Sequence, residues 1–127
     1  MAEIEIVFRD CTLDRVTKWL DMVTGPIGSP SEAGTALVYA TRFGSVIVQP
    51  GMGSPGGISV WFRSNELPWA SCAACARQAC REIEGVVWCD PGKDYPEVNP
   101  LASVFLEVDR YGERLVSIED SDIDSDS

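Results

Sequence analysis

Apolar and polar residues alternate at the start of the chain. Ile4, Ile6 and Phe8 stand between Glu3, Glu5 and Arg9, the period of two expected of a strand with one buried face. The period then lengthens: Leu13, Val16, Leu20 and Val23 follow at steps of three and four. That spacing puts them on one side of a helix, with Asp10 or Thr12 placed to cap its first turn. Gly25 and Pro26 end it, and residues 25–35, rich in Gly, Pro and Ser, read as a loop. Ala36 to Arg42 and Ser45 to Gln49 read as two strands of a hairpin with a tight turn at Phe43-Gly44. In the strand Ile58 to Arg63, alternation sets Ile58, Val60 and Phe62 on an apolar face and Ser59, Trp61 and Arg63 on a mixed, half-exposed one. A second helix spans Trp69 to Glu84 and stops at Gly85, and Val86 to Cys89 is a short strand. A last hairpin joins Ser103 to Val108 with Glu113 to Ile118 through Asp109-Arg110-Tyr111-Gly112.

The order is therefore β-α-β-β-β-α-β-β-β. Consecutive hairpins with only two helices predict an α+β fold, a single mostly antiparallel or mixed sheet with two helices packed on it, not a doubly wound one. Its core should hold Ile4, Ile6, Phe8, Leu13, Val16, Leu20, Val23, Ala76, Cys80 and Ile83. A chain of 127 residues is long enough for one core and short for two, which makes 1–118 a single domain. Residues 119–127 hold five acids, no base and one apolar residue, Ile123. So little apolar surface cannot offset the entropy of ordering, and this segment is expected to be a disordered acidic tail.

Charge sharpens the picture. Twenty acidic side chains face ten basic ones, there is no histidine, and the net charge is −10. Without the tail, fifteen acids still face ten bases. Such a chain repels nucleic acid and anionic membrane and suits a partner with a basic surface. The missing histidine removes the usual general base and the commonest metal ligand, so the expectation is a binding protein without cofactor, not an enzyme. No run approaches the ~18 apolar residues that span a bilayer. Glu3 and Glu5 sit where a secretory signal needs basic residues, and the cysteine count is odd at five. Both point to a cytoplasmic protein with reduced thiols.

Two motifs invite chemistry and fail on context. Cys72, Cys75, Cys80 and Cys89 begin with a Cys-x-x-Cys pair, a common opening of zinc sites. On a helical wheel, however, Cys72, Cys75 and Cys80 fall on the apolar face among Ala73, Ala76, Ala79 and Ile83, opposite Arg77, Gln78, Arg81 and Glu84. Small apolar residues there let a helix sit close on a sheet, and the cysteines read as structural thiols, not metal ligands. Gly51-Met52-Gly53-Ser54-Pro55-Gly56 matches G-x-G-x-x-G literally. It joins strand to strand where a dinucleotide site needs strand to helix, and Pro55 removes an amide donor.

The acidic loop after the short strand is the better candidate. Asp90, Asp94 and Glu97 gather there with Lys93, Tyr95, Pro91, Pro96 and Pro100; such carboxylates suit a divalent cation or a protein partner, for which the loop offers charge for steering, a ring for a desolvated contact and a stiffened backbone. These residues are the candidate partner-binding set, with Glu66 and Trp69, just before the second helix, as the next to consider. Trp69 also reads as a hydrophobic staple onto the helix start.

Ala76-Arg77-Gln78-Ala79, Val87-Trp88-Cys89-Asp90-Pro91-Gly92, Tyr95-Pro96-Glu97-Val98, Val104-Phe105-Leu106-Glu107-Val108 and Glu113-Arg114-Leu115-Val116 together resemble the pattern of small bacterial immunity proteins of toxin–immunity pairs. The resemblance covers residues 69–119. It implies a cytoplasmic α+β inhibitor that neutralises a cognate toxin by occluding its basic active site. An accessory protein or chaperone for another basic partner, or a small carboxylate-using enzyme, is the alternative.

Overall fold

The computed structural model of the protein describes residues 3–9, 11–51, 57–63, 67–83, 85–90 and 104–117. Its elements are β1 (Glu3–Phe8), α1 (Leu13–Thr24), β2 (Ser31–Ala33), β3 (Ala36–Thr41), β4 (Gly44–Pro50), β5 (Ile58–Arg63), α2 (Cys72–Glu82), β6 (Val87–Cys89), β7 (Val104–Asp109) and β8 (Gly112–Ser117). The strands form one sheet in the order β2-β3-β4-β5-β1-β6-β7-β8, and every pairing is antiparallel. The α+β class with two helices holds. One element was not expected: the segment 25–35 contains β2, whose Ser31, Glu32 and Ala33 are all exposed. Nothing in their polarity marks a strand. They pair with β3 through a turn that Gly34 permits with φ +65, a backbone that side chains disfavour. The domain boundary at 118 and the tail expected over 119–127 lie outside the described residues.

β1 lies between β5 and β6, so Ile6 is opposite Val60 on one side and Cys89 on the other. The N-terminal strand thus joins a four-stranded half, β2 to β5, to a three-stranded half, β6 to β8. Both helices pack on the face carrying Ile4, Ile6, Phe8, Val46, Val48, Val60, Phe62, Val87, Leu106 and Val108, all buried. Thr12 caps α1 by accepting from the Arg15 amide at 3.3 Å, and Gly25 ends it. Ser71 caps α2 by accepting from the Ala74 amide at 3.1 Å. That helix begins at Cys72, not Trp69, because the Trp69 indole turns into the core. It stacks on Trp19 at 6.1 Å and meets Phe62 edge-on at 5.0 Å. No described helix is long and apolar enough to cross a membrane.

Of the core expected from the pattern, Ile4, Ile6, Phe8, Val16, Leu20, Ala76, Cys80 and Ile83 are buried, whereas Leu13 and Val23 pack half-buried at its rim. Trp19, three positions after Val16 and on the same helical face, takes the central place. Leu20 is 0 % exposed, so Leu20→Ala leaves a cavity and should cost about 2–5 kcal/mol. Urea unfolding reads this directly, and an unchanged midpoint would contradict the position of α1.

Candidate functional site

Both helices cover one face of the sheet, and no described helix covers the other. Alternation along the strands brings Val38 (β3), Ile47 (β4), Trp61 (β5), Val7 (β1), Trp88 (β6), Phe105 (β7) and Val116 (β8) to that second face. Each is half-buried. Seven neighbouring strands contribute one apolar side chain apiece, and the cross-strand pairs Val38–Ile47, Ile47–Trp61, Val7–Trp88 and Phe105–Val116 are in register. Trp88 stacks on Phe105 with centroids 5.5 Å apart. The result is a row of apolar side chains across the sheet, interrupted by Glu5 and Ser59 opposite Trp61 and Val7 and by Glu107 opposite Trp88, with further polar groups fitted around it. The Arg9 guanidinium lies over the Trp88 ring at 4.1 Å and that of Arg63 over Trp61 at 4.9 Å. The Trp88 indole N–H donates to Glu107 Oε1 at 2.9 Å, and the Ser59 hydroxyl donates to Glu5 Oε2 at 2.8 Å. Arg114 pairs with Glu107 and Asp109. Hydrogen bonding to Arg114 and to the Tyr111 amide holds the Asp109 carboxyl below the usual carboxylate range.

The candidate partner residues fall in three groups. Asp90 follows β6 and is exposed; one step past the Ile6–Cys89 pair, it lies beside Glu5 at the middle of the row. Asp94, Tyr95, Glu97 and Glu66 lie outside the described residues. Trp69 requires a correction: it is 7 % exposed, and its indole N–H donates to Gln78 Oε1 at 2.8 Å inside the fold. It is a core residue, not a ring offered to a partner. The residues the pattern missed are Val7, Val38, Ile47, Trp88, Phe105 and Val116. For all but Val116 the signal was present, since each is apolar on a strand whose other parity is already apolar; β8, with Glu113, Arg114 and an exposed Leu115, carries no such mark.

Charge is divided unequally along the sequence. Residues 1–89 hold nine acids and seven bases and residues 90–127 eleven acids and three bases, so most of the net −10 falls after Cys89.

The cysteines are shaped by burial. No disulfide joins them, and no three Cys, Asp or Glu among the described residues converge as a metal site. Burial pushes the Cys75 thiol far up, with the Cys72 and Cys89 sulfurs adding to it. Burial takes Cys80 up to about 11 and Cys89 up to about 12 from 9.0. Burial also raises Cys72, reinforced by the carboxylates of Asp90 and Glu5 and opposed by backbone hydrogen bonds from those residues. The Cys80 thiol donates to the Val108 carbonyl at 3.0 Å. These thiols are protonated near neutrality and so are poor nucleophiles. Because the unfolded chain gives up such protons first, their contribution to stability is intact below the unfolded value of 9.0 and is lost as pH rises toward the folded 11 to 12. Urea midpoints should be level up to about pH 9 and fall above it. The double variant Cys80→Ala/Cys89→Ala should flatten that fall, and an unaltered slope would assign it to other groups.

A concavity of about 780 Å³ lies between α2 and the β7–β8 turn, lined by Arg77, Arg81, Arg110, Tyr111 and Glu113 among others. Arg77 makes a forked pair with Glu113 across it, so the cleft is a salt-bridged seam joining helix to hairpin. Comparison with protein-family models, with curated proteins and with solved structures finds no match.

Proposed function

We propose that this protein is an immunity-like inhibitor, a non-catalytic partner that binds a cognate bacterial toxin in the cytoplasm and occludes its basic active site. The observation that carries this reading is the placement of charge. Most of the net charge falls after Cys89, where residues 90–127 hold eleven acids and three bases, and the exposed Asp90 leads into the stretch with Asp94, Tyr95 and Glu97. Enzymes that act on phosphates carry basic clefts, and an acidic protein is drawn to such a cleft by the same field that draws the substrate. The high thiol pKa values support binding over thiol catalysis, and the surplus of acid argues against nucleic acid or anionic membrane as the partner.

Co-expression with each toxic product of the genes that neighbour this one tests the reading. Cells should survive a toxin dose that kills cells lacking the protein, and the two chains should co-purify at low salt. Unchanged killing together with separate elution would overturn it.

A further inference from the structure

We infer that the outer edge of β8 is a docking surface for a second copy of this chain, which adds its own β8 antiparallel about a two-fold axis through Leu115. This goes beyond the proposed inhibition and does not depend on it.

The two edges of the sheet differ. β2 at one edge is three residues long, whereas β8 at the other runs for six, Gly112–Ser117. Hydrogen-bond parity fixes which backbone groups of β8 point outward. The Arg9 amide donates to the Val86 carbonyl at 2.8 Å, so the odd positions of β1 face the even positions of β6. Backbone groups alternate between the two sides of a strand. Val87 and Cys89 therefore face β7, and their partners Val108 and Leu106 face β6. Phe105, Glu107 and Asp109 then face Val116, Arg114 and Gly112 on β8. That leaves the amides and carbonyls of Glu113, Leu115 and Ser117 on the outer side, and no described strand lies beyond them. An edge of this length is a template for another strand.

Side chains select the occupant and the register. α2 packs on β1, β6 and β7, and Leu115, on the far side of them, stays 40 % exposed beside the fully buried Leu106. A two-fold axis through Leu115 sets the two leucines opposite one another and prolongs the apolar layer that Leu106 ends. The same register puts Glu113 opposite the partner's Ser117 and Arg114 opposite the partner's Val116, so no like charges meet directly. An axis at Arg114 or Glu113 would oppose Arg to Arg or Glu to Glu, which destabilises a sheet. An axis beyond Leu115 would lose the Glu113–Ser117 pair. The contact is one strand wide, well below the ~800 Å² per partner of a standard interface, and each copy carries a net charge of −10. The dimer is therefore weak, favoured by concentration and by salt that screens the repulsion.

Sedimentation and amide exchange of the protein alone test this between about 10 µM and 1 mM, where weak complexes populate. Wild type should pass from monomer to dimer over that range, more readily at high salt. Exchange of the Leu115 amide should slow about fivefold at the upper end, while the Arg114 and Val116 amides, which face β7, stay protected throughout. Leu115→Lys lessens the net negative charge but sets like charges on the axis. It should remain a monomer across the range, with an unchanged melting temperature. Leu115→Pro removes the outward amide and no bond to β7, and should also remain a monomer. Wild type that is monomeric at every concentration would overturn the proposal, as would a dimer that survives both variants. A Leu115 amide equally protected in the dilute monomer would give the edge to another segment of this chain, which also overturns it.

Discussion

Trp19→Ala should destabilise the protein by about 3–5 kcal/mol, the range for emptying a buried tryptophan site. Trp19 is 2 % exposed and meets Phe8 at 5.5 Å, Phe62 at 6.2 Å and Trp69 at 6.1 Å. Its indole N–H also donates to Glu82 Oε1 at 2.8 Å, an oxygen that accepts from Gln78 as well. One side chain thus fills the centre of the core and ties α1 to the end of α2. Trp19→Phe should recover much of the packing while losing the hydrogen bond, whose net worth is about 1 kcal/mol. Urea unfolding of the two variants separates these contributions. If Trp19→Ala unfolded at the wild-type midpoint, the aromatic centre described for this fold would be wrong. Trp61→Ala, on the helix-free face, should cost far less, since that ring is only half-buried.

A large functional effect should come from reversing Asp90, Asp94 and Glu97 together to lysine. The change moves the net charge from −10 to about −4 at the place where steering is expected, and association with a basic toxin should slow by roughly tenfold or more at low ionic strength. Dissociation should change less, because long-range attraction acts on encounter more than on the docked complex. Added salt should slow the wild-type association and affect the triple variant less, as screening acts on the same field. Stopped-flow association with a catalytically silenced form of the toxin reads the rates, and circular dichroism checks that the variant remains folded. Full protection of cells by the triple variant at wild-type dose would move the contact away from this segment. With Trp69 in the core, Glu66 would be what remains of the other candidate stretch.

Much of the fold was legible because it depends on local periodicity. The alternation in β1 and β5 and the three-four spacing in α1 identified the elements and their buried faces, since strand and helix geometry turn spacing into facing. The same rule placed Cys75, Ala76, Ala79 and Cys80 on the buried side of α2 and explained the cysteines as packing. The negative charge and the missing histidine were properties of the sequence alone, and the expectation of a basic partner came from them. β2 was not legible, because Ser31, Glu32 and Ala33 have no pattern and become a strand only when β3 offers its edge.

Tertiary structure decided three things that spacing could not. The central position of β1 depends on pairing with β5 and β6, strands fifty or more residues away in sequence, and long-range pairing leaves no local signature. The fate of the tryptophans depends on what lies across from them: Trp69 enters the core against Trp19 and Phe62, while Trp61 and Trp88 share the face without helices. That face is the last of the three. Val7, Trp61, Trp88 and Phe105 come from four distant stretches of sequence, each showing only an apolar residue on an unexpected parity. They become one surface because antiparallel register sets them side by side, and because both helices spend their apolar sides on the opposite face.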